Sequence, residues 1–255
     1  MTISVAVVGA TGRMGKLALE LIDAAQDLRL HAALDSKSEL EQVLGADVVL
    51  DVTRFEVSEK VVAFCIANGL KVVVGTSGWS ASKLAAVEAT LEAARVGAPA
   101  EGGKAAVLVI PNFSIGSMLA SKFAAEAATF FDSIEIVEAH HAGKIDSPSG
   151  TAVRTAEMIA HARAEAALTQ PLLPGVGQPA RGQVAAGVPI HSLRLSGVSA
   201  KQDVLFGGES ELLTISHETT SVRAYQTGIL LSIRTAATAK GLTVGLQAVV
   251  EAARG

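Results

Sequence analysis

The fold is decided by Ile3-Ser-Val-Ala-Val-Val-Gly-Ala-Thr-Gly-Arg-Met-Gly15. Residues 3–8 form an apolar-rich run with the length of a buried strand. The run leads into a turn with glycines at 9, 12 and 15, and from Met14 to Ala25 apolar residues recur at helical spacing. The stretch therefore predicts a strand, a glycine-rich turn and a helix, in that order.

The same alternation continues outward to residue 110. Further strands are predicted at 28–34, 48–52, 71–74 and 105–110, and further helices at 57–67 and 80–94. Asn68-Gly69 is typical of a helix end, Ser80 of a helix cap, and residues 97–103 of a loop that contains glycine and proline. Strands that alternate with helices at this spacing imply right-handed crossovers and a Rossmann-like, doubly wound parallel sheet in an α/β protein.

After Ser114 the pattern changes to that of a central α+β domain. A helix to residue 131, a strand at 133–139 and a helix at 149–167 are followed by a proline-containing loop at 168–187. Short alternating runs then predict antiparallel strands of a mixed sheet with an open face for oligomerisation, at 190–195, 203–206 and 211–217. The last segment predicts a helix at 224–239, a turn at 241–246 and a short terminal helix, and we expect it to return to the first domain.

Composition restricts the class of protein. The 255 residues are 49% hydrophobic and 18% charged, which favours a well-packed soluble enzyme of two domains over a disordered chain. The net charge is −4 and no Lys/Arg block occurs, so we expect no nucleic-acid partner and only local binding of anions.

The single cysteine and the N-terminus bear on the cellular compartment. Cys65 lies in an apolar run, where a small buried residue is a better interpretation than a catalytic thiol, and it cannot form an internal disulfide. The first strand follows Met1 almost at once, so no signal peptide is expected, and the apolar stretch at 115–131 is interrupted by Lys122 and Glu126. We therefore expect a cytoplasmic protein without a membrane span.

The glycine-rich turn predicts a dinucleotide site. Gly12 and Gly15 stand where a dinucleotide fingerprint needs them, Ala10 replaces its first glycine, and Asp35 follows at the end of the second strand. An acid there would bind the adenosine ribose and repel a 2′-phosphate, which favours NAD, although Ser36 and Lys37 could accommodate the phosphate. The alternatives are an ordinary tight turn and a solvated turn aspartate.

Three loops follow the carboxyl ends of predicted parallel strands, where ligands bind in open α/β sheets. They are Asp51-Val-Thr-Arg-Phe55, Gly75-Thr-Ser-Gly-Trp79 and Pro111-Asn-Phe-Ser114. Their hydroxyl, amide and backbone groups could position a nicotinamide, and Arg54 could meet a phosphate. Thr, Ser and Asn are also usual loop formers, so the alternative is three ordinary loops.

Side chains that carry chemistry concentrate in Glu138-Ala-His-His-Ala-Gly-Lys-Ile-Asp-Ser-Pro-Ser-Gly-Thr-Ala152. His140, His141 and Lys144 can bind an anionic substrate and supply acids near neutral pH. Ser149-Gly150-Thr151 begins a helical pattern whose first N–H groups can bind a carboxylate. A His pair or a lone Lys is often merely solvated, so it is their combination that indicates a substrate site.

Taken together these motifs resemble the 4-hydroxy-tetrahydrodipicolinate (dihydrodipicolinate) reductase family of bacterial lysine and diaminopimelate synthesis. The resemblance runs nearly from end to end, and the segment from His140 to Thr151 is its most specific part. The residues that carry it are Gly9-Ala-x-Gly-Arg-Met-Gly15, Asp51-x-Thr-Arg54, Gly75-Thr-x-Gly78, Asn112-Phe-Ser-x-Gly116, Glu138-x-His-His141 and Lys144-x-Asp-x-Pro-Ser-Gly-Thr-Ala152.

The resemblance implies a cytoplasmic homotetramer that reduces 4-hydroxy-tetrahydrodipicolinate, a small dicarboxylate, to tetrahydrodipicolinate with NADH and/or NADPH and loss of water. It implies a dinucleotide-binding domain at 1–114 and 222–255, and a substrate-binding and tetramerisation domain at 115–221. It makes His140 the acid/base residue, Lys144 the proton donor, and His141, Gly150 and Thr151 substrate contacts, beside Ser149 at the same helix start. It requires no metal. The cofactor contacts that it implies are Gly9, Ala10, Thr11, Gly12, Arg13, Met14, Asp35, Gly75, Thr76, Ser77, Ile110, Pro111, Asn112 and Phe113.

The sequence departs from the family pattern between the His pair and Lys144. Ala142-Gly143 stands where Arg-His or Pro-His is usual, and we expect this to change substrate affinity and optimum pH more than reaction type. Two alternatives remain: a related NAD(P)-dependent reductase of another small cyclic or imine carboxylate, and a nucleotide-sensing regulator without chemistry. A sensor has no need for His140, His141, Lys144 and the Ser149 helix start together.

Overall fold

The computed structural model describes residues 2–97, 105–171, 175 and 177–254, and the chain divides into two compact units. The first unit is Met1–Ile115 with Val222–Gly255, and the second is Gly116–Ser221. The strands are β1 Ile3–Val8, β2 Leu28–Leu34, β3 Val48–Asp51, β4 Lys71–Val74, β5 Ala106–Val109, β6 Ser133–His140, β7 Gln183–Ala185, β8 Val188–Arg194, β9 Ala200–Gly208, β10 Glu211–Thr219 and β11 Gly241–Val244. The helices are α1 Arg13–Ala24, α2 Phe55–Ala67, α3 Ala81–Gly97, α4 Ile115–Ala127, α5 Gly150–Glu165, α6 Gln226–Ala236 and α7 Leu246–Ala252.

The first unit is built on a six-stranded parallel sheet in the order β11-β5-β4-β3-β1-β2. The residues of β3 and β5 are all buried, as expected of strands covered on both faces. Because all the strands run in one direction, their carboxyl ends lie along one edge, and the strand order reverses between β1 and β3. The predicted doubly wound sheet is therefore confirmed, and this edge is the one at which ligands bind in open α/β sheets.

The turn between β1 and α1 depends on two glycines. Gly9 has φ +89°, a left-handed conformation that side chains rarely adopt. A Cβ on Gly15 would lie 2.2 Å from the carbonyl oxygen of Gly9 and 2.6 Å from Cα of Ala10. Helix α1 can approach the turn this closely only because residue 15 has no side chain.

The second unit is built on a five-stranded mixed sheet in the order β10-β9-β6-β8-β7. Strand β6 pairs in parallel with β8 and antiparallel with β9, while the outer pairs are antiparallel. One face packs on residues of α4 and α5 through a cluster that includes Ile136, Phe206, Ala124 and Ile159. The expected mixed sheet is thus confirmed.

Two expectations for strands were wrong. Residues 241–246 were expected to form a turn, but Gly241–Val244 is strand β11, which pairs in parallel with β5. Gly241, the first residue of this edge strand, has φ +71°, and Gly245, directly after the strand, has φ +89°. Strand β8 was expected to be antiparallel, and it is antiparallel to β7, but it joins β6 in parallel. Strand β7 itself lies in the expected proline-containing loop.

Several boundaries also differ. Helix α2 begins at Phe55, two residues earlier than expected, and α4 ends at Ala127, before the turn that leads to β6. The expected loop at 168–187 contains a short 3-10 helix at Pro179–Arg181 as well as β7. Residues 98–103 and 172–174 of the two expected loops, and residue 176, lie outside the described residues.

Cys65 lies in α2 and is fully buried. Burial, together with the negative charge of Asp51, raises the pKa of its thiol to about 12, so the thiol stays protonated. Across the described part of the chain, helices lack the length and apolar character needed to cross a membrane.

Replacing Gly15 tests the close approach of α1 to the turn. Gly15→Ala should destabilise the protein by roughly 2–3 kcal/mol, because the methyl group must displace backbone atoms. Gly12→Ala is the matched control, since its Cβ would lie no closer than 3.3 Å to the Gly9 carbonyl oxygen. Thermal denaturation of the variants without ligand should show a clearly larger loss for Gly15→Ala, and equal losses would contradict this account of the turn.

Candidate active site

Glu138 is the centre of the candidate site in the second unit. It lies near the end of β6, and its side chain is completely buried. Its Oε2 lies 2.5 Å from Nδ1 of His140, and its Oε1 accepts a hydrogen bond of 3.2 Å from the backbone N–H of Ser149. One carboxylate therefore joins the end of β6 to the start of α5.

Arg194 supplies the opposite charge. Its guanidinium, at the end of β8, binds the Glu138 carboxylate through two bonds of 3.0 Å. It also donates to the backbone carbonyls of Lys144, at 3.2 Å, and Asp146, at 2.7 Å. The pair consequently fastens the loop between β6 and α5 to the sheet.

The cluster fixes the charge of Glu138. Burial alone would raise the pKa of this carboxyl, but hydrogen bonds from Arg194, Ser192 and His140 outweigh burial and hold the pKa below its usual value. Glu138 is therefore ionised at neutral pH.

His140 has the opposite electrostatics. Burial lowers the pKa of its imidazole, the Glu138 carboxylate opposes this, and the charges of Lys144 and Arg194 lower it further, so the net shift is downward. The ring is neutral at neutral pH. Because Glu138 is an acceptor only, Nδ1 carries the proton and Nε2 has the free lone pair.

The loop after His140 places Lys144. Its backbone N–H donates to the carbonyl of His141 at 3.0 Å, closing a tight turn. The ammonium lies 2.7 and 2.6 Å from the two carboxylate oxygens of Asp146, and it lowers the pKa of that carboxyl. Since Asp146 is two-thirds exposed, a substrate anion can compete with it for the ammonium.

Helix α5 begins as expected. Ser149 is its N-cap, and its hydroxyl accepts from the N–H of Ala152 at 3.2 Å. A Cβ on Gly150 would meet nothing within 4 Å, so the helix start is open on this side. The structure thus brings His140 and the Ser149 helix start together through Glu138, and it holds Lys144 in the same loop through Arg194.

The predicted cofactor residues lie along the carboxyl edge of the parallel sheet in the first unit. The N–H groups of Gly9 and Ala10 donate to the carbonyl of Leu34 at 3.0 and 2.9 Å, which ties the turn to β2. Gly12 is the N-cap of α1, with no side-chain cap bond and no acidic residue in the first turn. An uncapped helix start beside a left-handed glycine fits a pyrophosphate.

Asp35 lies at the same edge, just after β2, and it is exposed. Its Oδ1 accepts from the N–H of Lys37 and from the hydroxyl of Ser38, both at 2.9 Å, and these bonds lower its pKa. Asp35 therefore binds its own turn through Oδ1 and remains ionised.

The other two predicted loops are packed together. A Cβ on Gly75 would lie 2.7 Å from the Phe113 ring, and Phe113 is itself buried. Thr76 is buried, and its hydroxyl accepts from the indole N–H of Trp79 at 3.0 Å. Ile110 is buried directly after β5, Pro111 and Ser77 are exposed, and Asn112 accepts from the N–H of Ser114 at 2.9 Å.

Comparison with known proteins now decides the family. Models of "Dihydrodipicolinate reductase, N-terminus" and "Dihydrodipicolinate reductase, C-terminus" match residues 3–100 and 116–250. The 4-hydroxy-tetrahydrodipicolinate reductase of Clavibacter sepedonicus is 52% identical over 98% of this chain and 87% of its own length. That of Streptomyces griseus is 44% identical over 95% of this chain and 96% of its own length. The chain belongs to the dihydrodipicolinate reductase family.

A solved structure supports this membership. The dipicolinate-bound dihydrodipicolinate reductase of Paenisporosarcina sp. TG-14 has a TM-score of 0.77 and 33% identity, over 97% of this chain and 99% of that one. A myo-inositol dehydrogenase of Corynebacterium glutamicum, at 12% identity and a TM-score of 0.60, shares the fold alone.

Sequence reasoning missed Arg194 in this family member. The signal was an acid in an apolar strand, because Glu138 follows Ile136 and Val137 and a buried carboxylate requires a partner. The matching cation stands between Leu193 and Leu195. Among the residues that the structure describes, no three His, Cys, Asp or Glu side chains gather as a possible metal site.

Removing the Glu138 charge tests the buried pair in this dihydrodipicolinate reductase family member. Glu138→Gln should cost roughly 3 kcal/mol of stability at neutral pH, because it leaves the Arg194 charge without its partner. Glu135→Gln is the matched control on the same strand. Glu135 pairs with Arg181 and His191 but is 30% exposed, so its loss should cost less than about 1 kcal/mol.

The pH dependence has a definite sign. The folded pKa of Glu138 lies below its unfolded value, so its stabilisation is complete above the unfolded pKa and is lost as the pH falls through the folded one. Urea denaturation should show the widest gap between wild type and Glu138→Gln at neutral pH and a narrower gap in acid. A gap that does not depend on pH would contradict an ionised Glu138.

Proposed function

We propose that this protein reduces 4-hydroxy-tetrahydrodipicolinate to tetrahydrodipicolinate with NADH or NADPH and releases water, in lysine and diaminopimelate biosynthesis. The observation that carries the proposal is the Glu138 cluster, which joins His140, the Lys144 loop and the start of α5. Its relatives bear the name of this reductase. The protein is accordingly an NAD(P)H-dependent oxidoreductase.

The dinucleotide binds at the carboxyl edge of the parallel sheet, where it supplies a hydride. The start of α1 and the turn from Gly9 to Met14 hold the pyrophosphate. Asp35 binds the adenosine ribose, and its charge favours NADH over NADPH. The loops at 75–77 and 110–113 position the nicotinamide and exclude water from it.

The substrate is a dicarboxylate and binds in the second unit. The open start of α5 at Gly150 and Thr151 holds one carboxylate, with His141 and Ser149 beside it. Lys144 leaves Asp146 and binds the substrate, because a second anion competes for its ammonium. This exchange couples the binding of substrate to the placement of the acid.

Hydride addition with loss of water consumes one proton, and the charges of Lys144 and His140 support a division of roles between them. Lys144 is a cation and can donate the proton. His140 is neutral, with Nδ1–H held by Glu138, so its Nε2 accepts a hydrogen bond or a proton. We therefore assign proton donation to Lys144. His140 positions the reacting group and takes part with Lys144 in the transfer of the same proton.

The uncovered face of the mixed sheet supports the proposed assembly. Leu193, Leu205 and Leu212 point away from the buried cluster that contacts α4 and α5, and Leu212 is 68% exposed. A second copy of the chain can cover such a face, and four copies cover it symmetrically. The protein works as a homotetramer in the cytoplasm.

A second candidate is a related reductase of another small cyclic or imine carboxylate. Ala142 and Gly143 favour it, because they provide neither the cation nor the imidazole that the family usually has there. Both residues are exposed, so the change alters the surface of the substrate loop.

A coupled assay decides between the two. Substrate is generated in place from pyruvate and aspartate semialdehyde by the preceding synthase, and the oxidation of NADH and of NADPH is followed by absorbance. We expect oxidation that depends on the synthase and is faster with NADH. A folded protein that binds NADH without such oxidation would leave the second candidate.

Lys144→Ala tests the proton donor in the same assay. It should lower kcat by about a hundredfold or more, the usual effect of losing a positioned acid, while NADH binding is retained. Lys122→Ala, on the exposed side of α4, is the control and should match wild type. Wild-type turnover by Lys144→Ala would refute its role.

A further inference from the structure

Asp51 is a buried carboxyl that the proposed mechanism does not use. It is the last residue of β3, at the centre of the parallel sheet, and its side chain has no exposed surface. Its backbone carbonyl accepts from the N–H of Gly75 at 2.8 Å. A carboxyl is costly to bury, so a specific task is expected of it.

One oxygen of Asp51 holds the loop that follows. Oδ1 accepts from the N–H of Thr53 at 3.0 Å and from its hydroxyl at 2.6 Å. Both donors of one residue are thus bound by one acceptor, and the chain turns away from β3 in a fixed conformation.

The second oxygen has no such partner. Within the described residues, Oδ2 of Asp51 and the buried hydroxyl of Ser58 on α2 both lack hydrogen-bond geometry to any group. Burial raises the pKa of Asp51, while Ser58 and Thr53 lower it in part. Ser58 therefore lies near the carboxyl, and the bonds to Thr53 account for the orientation of Asp51.

The loop held by Asp51 packs against the glycine-rich turn. A Cβ on Gly9 would lie 3.0 Å from the carbonyl oxygen of Val52 and 3.1 Å from Cγ2 of Thr53, and one on Gly75 would lie 3.1 Å from Cγ1 of Val52. The loop at 52–54 therefore lies between the turns at Gly9 and Gly75, which border the proposed dinucleotide site at the carboxyl edge of the sheet. A shift of Thr53 would be transmitted to Gly9 directly.

We propose that Asp51 is a positioning residue for the dinucleotide: by holding Thr53 it fixes the loop at 52–54 against Gly9 and so sets the affinity for NADH. The inference rests on the proposed function, because it takes the carboxyl edge of the sheet as the cofactor site. It assigns Asp51 no contact with the substrate and no part in proton transfer.

The test measures NADH binding without turnover. Calorimetry gives Kd, and the fluorescence of Trp79, the single tryptophan, reports from the loop at 75–79. Asp51→Ala should raise the Kd for NADH by about tenfold or more, because two hydrogen bonds that fix Thr53 are lost. Asp51→Asn should stay within about threefold of wild type, since its amide oxygen can accept both bonds and its amide N–H₂ can donate to Ser58.

Thr53→Val provides a variant that keeps the shape of the loop and leaves Asp51 in place. It should weaken NADH binding, and the double variant Asp51→Ala/Thr53→Val should bind no more weakly than Asp51→Ala alone, because the hydroxyl bond that Thr53→Val removes is one of the two bonds that Asp51→Ala already removes. Additive losses would overturn the proposal, since they would mean that Thr53 and Asp51 act separately.

Asp47→Ala is the control, because Asp47 directly precedes β3, at the end opposite Asp51. Asp47 accepts from the N–H of Ser4 at 2.8 Å, so it also binds backbone, but away from the carboxyl edge. The Asp47→Ala variant should bind NADH with a Kd within about twofold of wild type. This should hold even if the melting temperature of Asp47→Ala falls as much as that of Asp51→Ala. An equal loss of NADH affinity in the two variants would overturn the proposal, because it would mean that Asp51 contributes only to stability.

Kinetics complete the test. With Asp51→Ala, KM for NADH should rise, while kcat and the KM for the dicarboxylate at saturating NADH stay near wild type. Unchanged affinity for NADH in Asp51→Ala, with wild type binding normally, would overturn the role of Asp51 alone. Failure of the wild type to bind NADH would instead overturn the proposed function.

Discussion

The second unit depends on a buried ion pair. Glu138 and Arg194 stand on neighbouring parallel strands, and burying their charges is favourable only when every oxygen and N–H has a partner. Those partners are His140, the N–H of Ser149 and the carbonyls of the loop that carries Lys144. The requirement to satisfy one carboxylate thus assembles the site.

A different constraint acts in the first unit, where backbone must come close to backbone. Gly9 and Gly15 let α1 approach the turn, and Asp51 holds the next loop against the same turn. In a parallel sheet these turns share an edge because of strand direction alone. Small residues and a buried acceptor can therefore shape the proposed cofactor site without contacting the reacting atoms.

Much of this could be predicted from sequence, because the signals are local. Apolar-rich runs located β1, β2 and β4 to the residue, and Ser149 was recognisable as the start of α5. The edge strand β11 was missed, because its glycines read as a turn and its pairing with β5 is a contact between residues far apart in sequence. The parallel pairing of β8 with β6 escaped for the same reason.

The site shows the same limit. His140 and Lys144 stood out by residue type, but Arg194 binds both the Glu138 carboxylate that holds His140 and the backbone carbonyl of Lys144, and it lies fifty-six residues after Glu138. Sequence also could not show that Asp146 holds the Lys144 ammonium or that Asp35 binds its own turn. Whether a charged side chain is solvated, paired or part of a turn is decided by tertiary contacts.

The central claim is that burial keeps the His140 ring neutral and that Glu138 holds the proton of that ring on Nδ1. Nitrogen NMR of the protein with isotopically labelled histidine measures this directly, with the His140 signals assigned by comparison with His140→Gln. The account predicts a neutral imidazole at neutral pH, with Nδ1 protonated and Nε2 unprotonated. A protonated Nε2 at that pH, in either the other tautomer or an imidazolium, would contradict it.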